Sequence, residues 1–240
     1  MPGGTLRGFA ERVALVVSGG AGLTGVGRAV AMQLALEGAF VIVTHAPDDR
    51  EAESVTASLR ELGTLAHAVA ADVRREADIE QAFKTVDELY NRLDLLVFVA
   101  DAGEAGRASS SVSFDDATSE SIDDCLGGGL RAAMLCAQFA ARLMRGRPSA
   151  GVVNVVRARG ASAVDEAISA GIIGLTQSLA SELTPRVRVN CVRIGDNTRD
   201  VDGEATRTAL AHDEVARACL YLLSPEARYI TGQTLLVGSE

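Results

Sequence analysis

Residues 18–29 read Ser-Gly-Gly-Ala-Gly-Leu-Thr-Gly-Val-Gly-Arg-Ala. Glycines at this density let a backbone approach a phosphate closely. A helix opening directly after them adds N–H groups and the positive end of its dipole. The segment is therefore a candidate pyrophosphate turn, with Gly19, Gly25 and Gly27 as its candidate contacts. The same glycines also suit a plain close turn from strand to helix. Asp72-Val73 forms a second candidate, where an acidic residue follows a strand and is either a ligand contact or a turn residue. Metal chemistry is not indicated: His45, His67 and His212 are far apart, and Cys125, Cys136, Cys191 and Cys219 form no CxxC pair. Scattered thiols of this kind suit a reducing compartment. Lys84 is the only lysine, and the tyrosines are Tyr90, Tyr221 and Tyr229.

The elements that must position these groups alternate in type. Strands are expected at Arg12–Ser18, Phe40–Thr44, Leu65–Ala70, Leu93–Val99, Gly151–Val156, Val187–Val192 and Thr234–Val237. Helices are expected at Arg28–Glu37, Pro47–Leu62, Glu76–Asn91, Thr118–Arg145, Ser162–Leu183 and Asp213–Leu223. Gly38 and Gly63 read as helix stops. Gly127, Gly128 and Gly129 interrupt the long fourth helix, and at roughly 1 kcal/mol each against alanine they predict a break or bend. A loop rich in Gly, Ser and Asp fills Asp101 to about Asp116. Strands alternating with helices imply one α/β domain over 1–240, with a parallel seven-stranded sheet doubly wound by helices on both faces.

The net charge of -9 over 240 residues argues against nucleic acid or an anionic membrane as partner, since both need a basic face. The apolar runs Val13–Val17 and Leu95–Ala100 are too short to span a bilayer, and the N-terminal residues show no signal-peptide pattern. A cytoplasmic protein is expected.

Longer stretches carry a family resemblance. Asn154-Val155-Val156, Ala170-Gly171-Ile172-Ile173-Gly174-Leu175-Thr176-Gln177-Ser178-Leu179-Ala180-Ser181-Glu182-Leu183 and Arg188-Val189-Asn190-Cys191-Val192 resemble VNIS, KAGVIGLTRSLALEL and RVNAV of the short-chain dehydrogenases/reductases. Tyr229-Ile230-Thr231-Gly232-Gln233-Thr234-Leu235 is similar to the YITGQTL of β-ketoacyl-carrier reductases. The likeness covers nearly the whole chain. It implies a Rossmann-type fold with NAD or NADP as cofactor, the glycine turn on the pyrophosphate, and Asp72 of Asp72-Val73 on the adenine amino group. The family's TGxxxGxG turn has two extra residues here before Gly25-Val26-Gly27, which sets phosphate binding in question. His45 stands where the family selects NAD or NADP, and neither signal is present. Both asparagines of the family's NNAG are missing, whether it matches Phe98–Asp101 or Ala100–Gly103.

The resemblance also assigns the catalytic positions. The family's serine falls at Arg157, its tyrosine at Asp165, its lysine at Ser169 and its helix asparagine near Gly129. Hydride transfer to a carbonyl needs a proton donor at the developing alkoxide, which the family supplies with a tyrosine tuned by a lysine one helical turn on. No other register restores that pair, because Asp94, Pro225 and Gln233 stand four residues after the tyrosines. Asp165 is an anion at neutral pH unless its pKa rises by about 3 units, roughly 4 kcal/mol. An Arg157–Asp165 ion pair in the old site is the simpler expectation.

The leading expectation is a pseudoenzyme: the non-catalytic structural subunit of a hetero-oligomeric NAD(P)-dependent hydroxyacyl/ketoacyl-thioester dehydrogenase or reductase. Its partner would be an active homologue or a second copy of itself, met through Thr118–Arg145, Ser162–Leu183 and the last helix and strand. The alternatives are an active oxidoreductase using Arg157, Asp165 or Asp101, and a nucleotide- or ligand-sensing regulator.

Overall fold

The computed structural model describes residues 8–18, 25–49, 52–100, 114–147, 149–157, 163–195 and 204–238, the backbone alone for 204–211. Seven strands form one parallel sheet: β1 Val13–Ser18, β2 Phe40–His45, β3 Ala66–Ala70, β4 Leu95–Val99, β5 Ala150–Arg157, β6 Val187–Ile194 and β7 Thr234–Val237. Their order is β3-β2-β1-β4-β5-β6-β7, as the doubly wound expectation requires. The central strands are buried on both faces, so they read as near-continuous Val, Leu and Ala rather than alternating. One face carries α1 Gly25–Leu36, α2 Ala52–Glu61 and α7 Glu204–Leu223; the other carries α3 Glu76–Tyr90, α4 Ser119–Leu126, α5 Ala132–Leu143 and α6 Ala163–Leu183. Phe98, Leu96 and Ile172 are among the largest side chains fully buried between layers.

Two helix starts depart from the expectation. Pro47 and Asp48 do not start α2; they lie in a turn in which the Asp49 N–H donates to the Ala46 carbonyl at 3.0 Å. The last helix begins at Glu204 rather than Asp213. At the three glycines, where a break or bend is expected, the regular α-helix is interrupted. Gly127–Arg131 form a π turn that joins α4 to α5, with the Gly127 N–H shared between the Asp123 and Asp124 carbonyls. The π turn absorbs one extra residue between the two helical segments. The turn packs closely on α6: a Cβ at Gly129 would lie 2.6 Å from Ile168 Cγ2, so any larger residue there must displace Ile168. At the other end, Thr118 caps α4, its hydroxyl accepting from the Ser121 N–H at 3.1 Å.

The amino edge of the sheet is pinned by buried charge. Arg188 at the start of β6 donates to the carbonyls of Leu222, Leu223, Ser224 and Ala227, closing the C-terminal end of α7. Asp94, just before β4, accepts from the Val13 N–H at 2.8 Å and from Arg92 at 2.9 and 2.7 Å.

Candidate functional site at the carboxyl edge of the sheet

The strand order reverses between β1 and β4, and in such sheets ligands bind in the crevice beyond the carboxyl ends of the strands. Ser18, His45, Ala70, Val99 and Arg157 end their strands on this edge. The Ser18 N–H donates to Thr44 Oγ1 at 3.3 Å, which fixes the end of β1 against β2. Of the glycine turn, Gly19 lies outside the described residues. Gly25 opens α1 with φ of 51°, a left-handed conformation that favours glycine, and Gly27 is buried in the first turn. A helix N-terminus following β1 at the switch point, with Asp72 on the same edge, fits a dinucleotide.

Asp72 follows β3, and Val73 behind it is buried. The Asp72 N–H donates to Asp78 Oδ2 at 3.1 Å, anchoring the turn to α3. Its carboxylate is held by Arg74 in a two-pronged contact, Nε to Oδ1 at 2.9 Å and Nη2 to Oδ2 at 2.7 Å. That hydrogen bond is the main cause holding the Arg74 guanidinium pKa above its ordinary value. Sequence reading missed Arg74; an arginine two residues after a strand-end aspartate was the available signal.

On α6, Asp165, Ile168, Ser169, Ile172, Thr176 and Ala180 form one buried stripe at helical spacing. Asp165 and Ser169 are each 5% exposed, so both positions matched to the family's tyrosine and lysine face inward. Further along, Asn154 donates to Thr176 Oγ1 at 3.0 Å, and Thr176 donates to the Ile172 carbonyl at 2.8 Å. This pair locks α6 onto β5. Arg193 Nη2 lies 3.7 Å from Glu166 Oε1, tying the helix start to the end of β6. Arg157 is partly exposed at the end of β5. Gly129 belongs to the same region, since Ile168 of the stripe packs on it. Asp101 and the rest of its loop lie outside the described residues.

An open groove of about 530 Å³ lies beside His45, between α2 and the edge strand β3. Asp49, Glu53, Thr56 and Arg60 line it, and Arg60 also donates to the Ala66 carbonyl at 2.9 Å. Among the described residues no cluster of His, Cys, Asp and Glu could hold a metal ion, and no helix is long and apolar enough to cross a membrane.

A seven-stranded parallel sheet of this order, with helices on both faces, is a Rossmann-type doubly wound fold. The chain belongs to the short-chain dehydrogenase/reductase family. A family model described as enoyl-(acyl carrier protein) reductase matches residues 19–239. A 3-oxoacyl-[acyl-carrier-protein] reductase of Staphylococcus aureus is 32% identical over 232 residues, covering 89% of this chain and 92% of that one. A counterpart from Synechocystis is 30% identical, covering 89% and 91%. A short-chain dehydrogenase from Burkholderia cenocepacia, solved in complex with NADP, is 30% identical with a TM-score of 0.80, covering 97% of this chain and 98% of that one. The question that the inserted glycine-turn residues raise over the cofactor finds no support in these relatives: the family is one of NAD(P)-dependent enzymes, and that neighbour binds NADP.

Proposed function

We propose that this chain, one domain over 1–240, is a non-catalytic subunit within its oxidoreductase family, assembling with an active homologue that acts on hydroxyacyl or ketoacyl thioesters. The observation that carries this reading is the contact between Gly129 and Ile168. The resemblance puts the family's asparagine near Gly129, and the Ile168 methyl lies 2.6 Å from where a Cβ on Gly129 would stand. Asp165 and Ser169, inward-facing on the same stripe, replace a proton donor and the cation that tunes it. In this reading Arg157 neutralises Asp165. NAD or NADP, when bound, would supply hydride chemistry; Gly19, Gly25, Gly27, Asp72 and Val73 would hold it.

Assembly is supported by apolar side chains left uncovered on the elements assigned to it. Leu126 and Met134 are exposed on α4 and α5, Tyr221 on α7, and Leu235 and Leu236 on β7, with Tyr229 87% exposed just before that strand. The thioester substrate class follows the carrier-protein reductases among the relatives.

A second reading, an active oxidoreductase using Asp165, Arg157 or Asp101, is favoured by the polar groups kept on the α6 stripe and by relatives named as reductases. Two measurements separate them. The purified chain is assayed alone with NADH and NADPH against an acetoacetyl thioester, and its partners are identified by mass spectrometry after co-purification from the native source. We expect no turnover alone and a co-purifying homologue of the same family. Robust turnover by the lone chain would overturn the first reading.

A further inference from the structure

We propose that Arg74 competes with the nucleotide's adenine for the Asp72 carboxylate, and that Asp124 on α4 receives Arg74 when the adenine binds. The inference rests on reading Asp72 as the base-binding group. Both Asp72 oxygens are engaged by the Arg74 fork at 2.9 and 2.7 Å, and Oδ1 also accepts from the Arg74 N–H at 3.1 Å. The third guanidinium nitrogen, Nη1, stands 3.6 Å from Asp124 Oδ2, beyond a hydrogen bond but within ion-pair range. Arg74 therefore lies between two carboxylates, closed on one and open toward the other.

Its backbone is held while the side chain has this choice. Arg131 of the π turn donates to the Arg74 carbonyl at 3.1 Å and to Glu76 Oε2 at 2.9 Å. Arg74 is 41% exposed and Asp124 60%, so the side chain can swing through solvent without disturbing the core. An exocyclic amino group is a neutral donor and a weaker partner for a carboxylate than a guanidinium fork. Adenine at Asp72 must share or displace Arg74, and a displaced arginine is stabilised by a second carboxylate within reach. The consequence is a pair of opposite effects from residues that need not touch the nucleotide. Removing Arg74 frees Asp72, whereas removing Asp124 leaves the released guanidinium without its second site.

NADH titrations followed by nucleotide fluorescence, on the full chain at low ionic strength, test this. Arg74→Met should bind NADH about fivefold more tightly and Asp124→Asn about twofold more weakly, effects in the range of exposed charge pairs. Arg74→Lys, which keeps the charge and loses the fork, should fall between wild type and Arg74→Met, and it serves if the methionine variant does not fold. The hypoxanthine analogue of NADH, with a carbonyl in place of the amino donor, should show no gain with Arg74→Met. Equal gains for both bases, unchanged or weaker NADH binding by Arg74→Met, or no binding by any variant would overturn the proposal. None of those outcomes bears on the non-catalytic reading, which falls only on turnover by the chain alone.

Discussion

At the amino edge of the sheet, Arg188 is 8% exposed and spends its guanidinium on backbone carbonyls at the end of α7. At the carboxyl edge, Arg74 is 41% exposed and holds the carboxylate of a single residue, with a second carboxylate nearby. The same side-chain type does different work because its surroundings differ. A buried guanidinium must satisfy its donors completely or cost several kcal/mol, so its geometry is over-determined. An exposed one is screened by water and gains about 1 kcal/mol or less per pair, so it can exchange partners. One edge holds the fold in one state, and the other leaves room for ligands.

The sharpest way to break this comparison is Arg188→Met. Carbonyls at the end of α7 would lose their donor in the protein interior, and a loss of about 3–5 kcal/mol in urea unfolding is expected. A loss below about 1 kcal/mol would mean that water or the neighbouring backbone satisfies them, and the amino edge would be no more rigid than the other. A smaller effect is expected at Gly129. Gly129→Asn must displace Ile168, which should destabilise by about 1–3 kcal/mol, and adding Ile168→Ala should recover part of it. Additive effects in that double-mutant cycle would show that the two residues do not share the space.

The mildest probe is thiol labelling of the folded chain. Burial pushes the Cys191 thiol up to about 12, and it also raises Cys136 and Cys219 well above the ordinary range, while Cys125 is only partly buried. At pH 8 the raised thiols carry almost no thiolate, so Cys125 should react alone and the others only on unfolding. Fast labelling of Cys191 would point to opening of β6 beside the anchored end of α7.

The strand runs, the helix periods and the motif around Gly171–Leu183 were legible as pattern, because two-sided burial demands long apolar strands and one buried face demands helical spacing. Helix boundaries were less legible. Pro47-Asp48 carries good helix-start chemistry, yet it forms a turn before α2. The triple glycine has a local cost that predicted a break or bend, and the regular helix is interrupted there by a π turn whose Gly129 packs on Ile168. At Gly129 a long-range contact bears on the outcome and local propensity carries no information about it, whereas the Pro47-Asp48 turn is closed by a local hydrogen bond from the Asp49 N–H to the Ala46 carbonyl.

The sequence by itself made the parallel α/β architecture and the family likeness legible. The architecture follows from pattern and spacing along the chain, and the family from resemblance in its motifs. The tertiary structure alone decided that Asp165 and Ser169 face inward on one stripe, that Ile168 takes the space beside Gly129, and that Arg74 is shared between Asp72 and the helix carrying Asp124. The contacts of Ile168 with Gly129 and of Arg74 with Asp124 join residues far apart in sequence, and only the close packing of the folded chain brings them within reach.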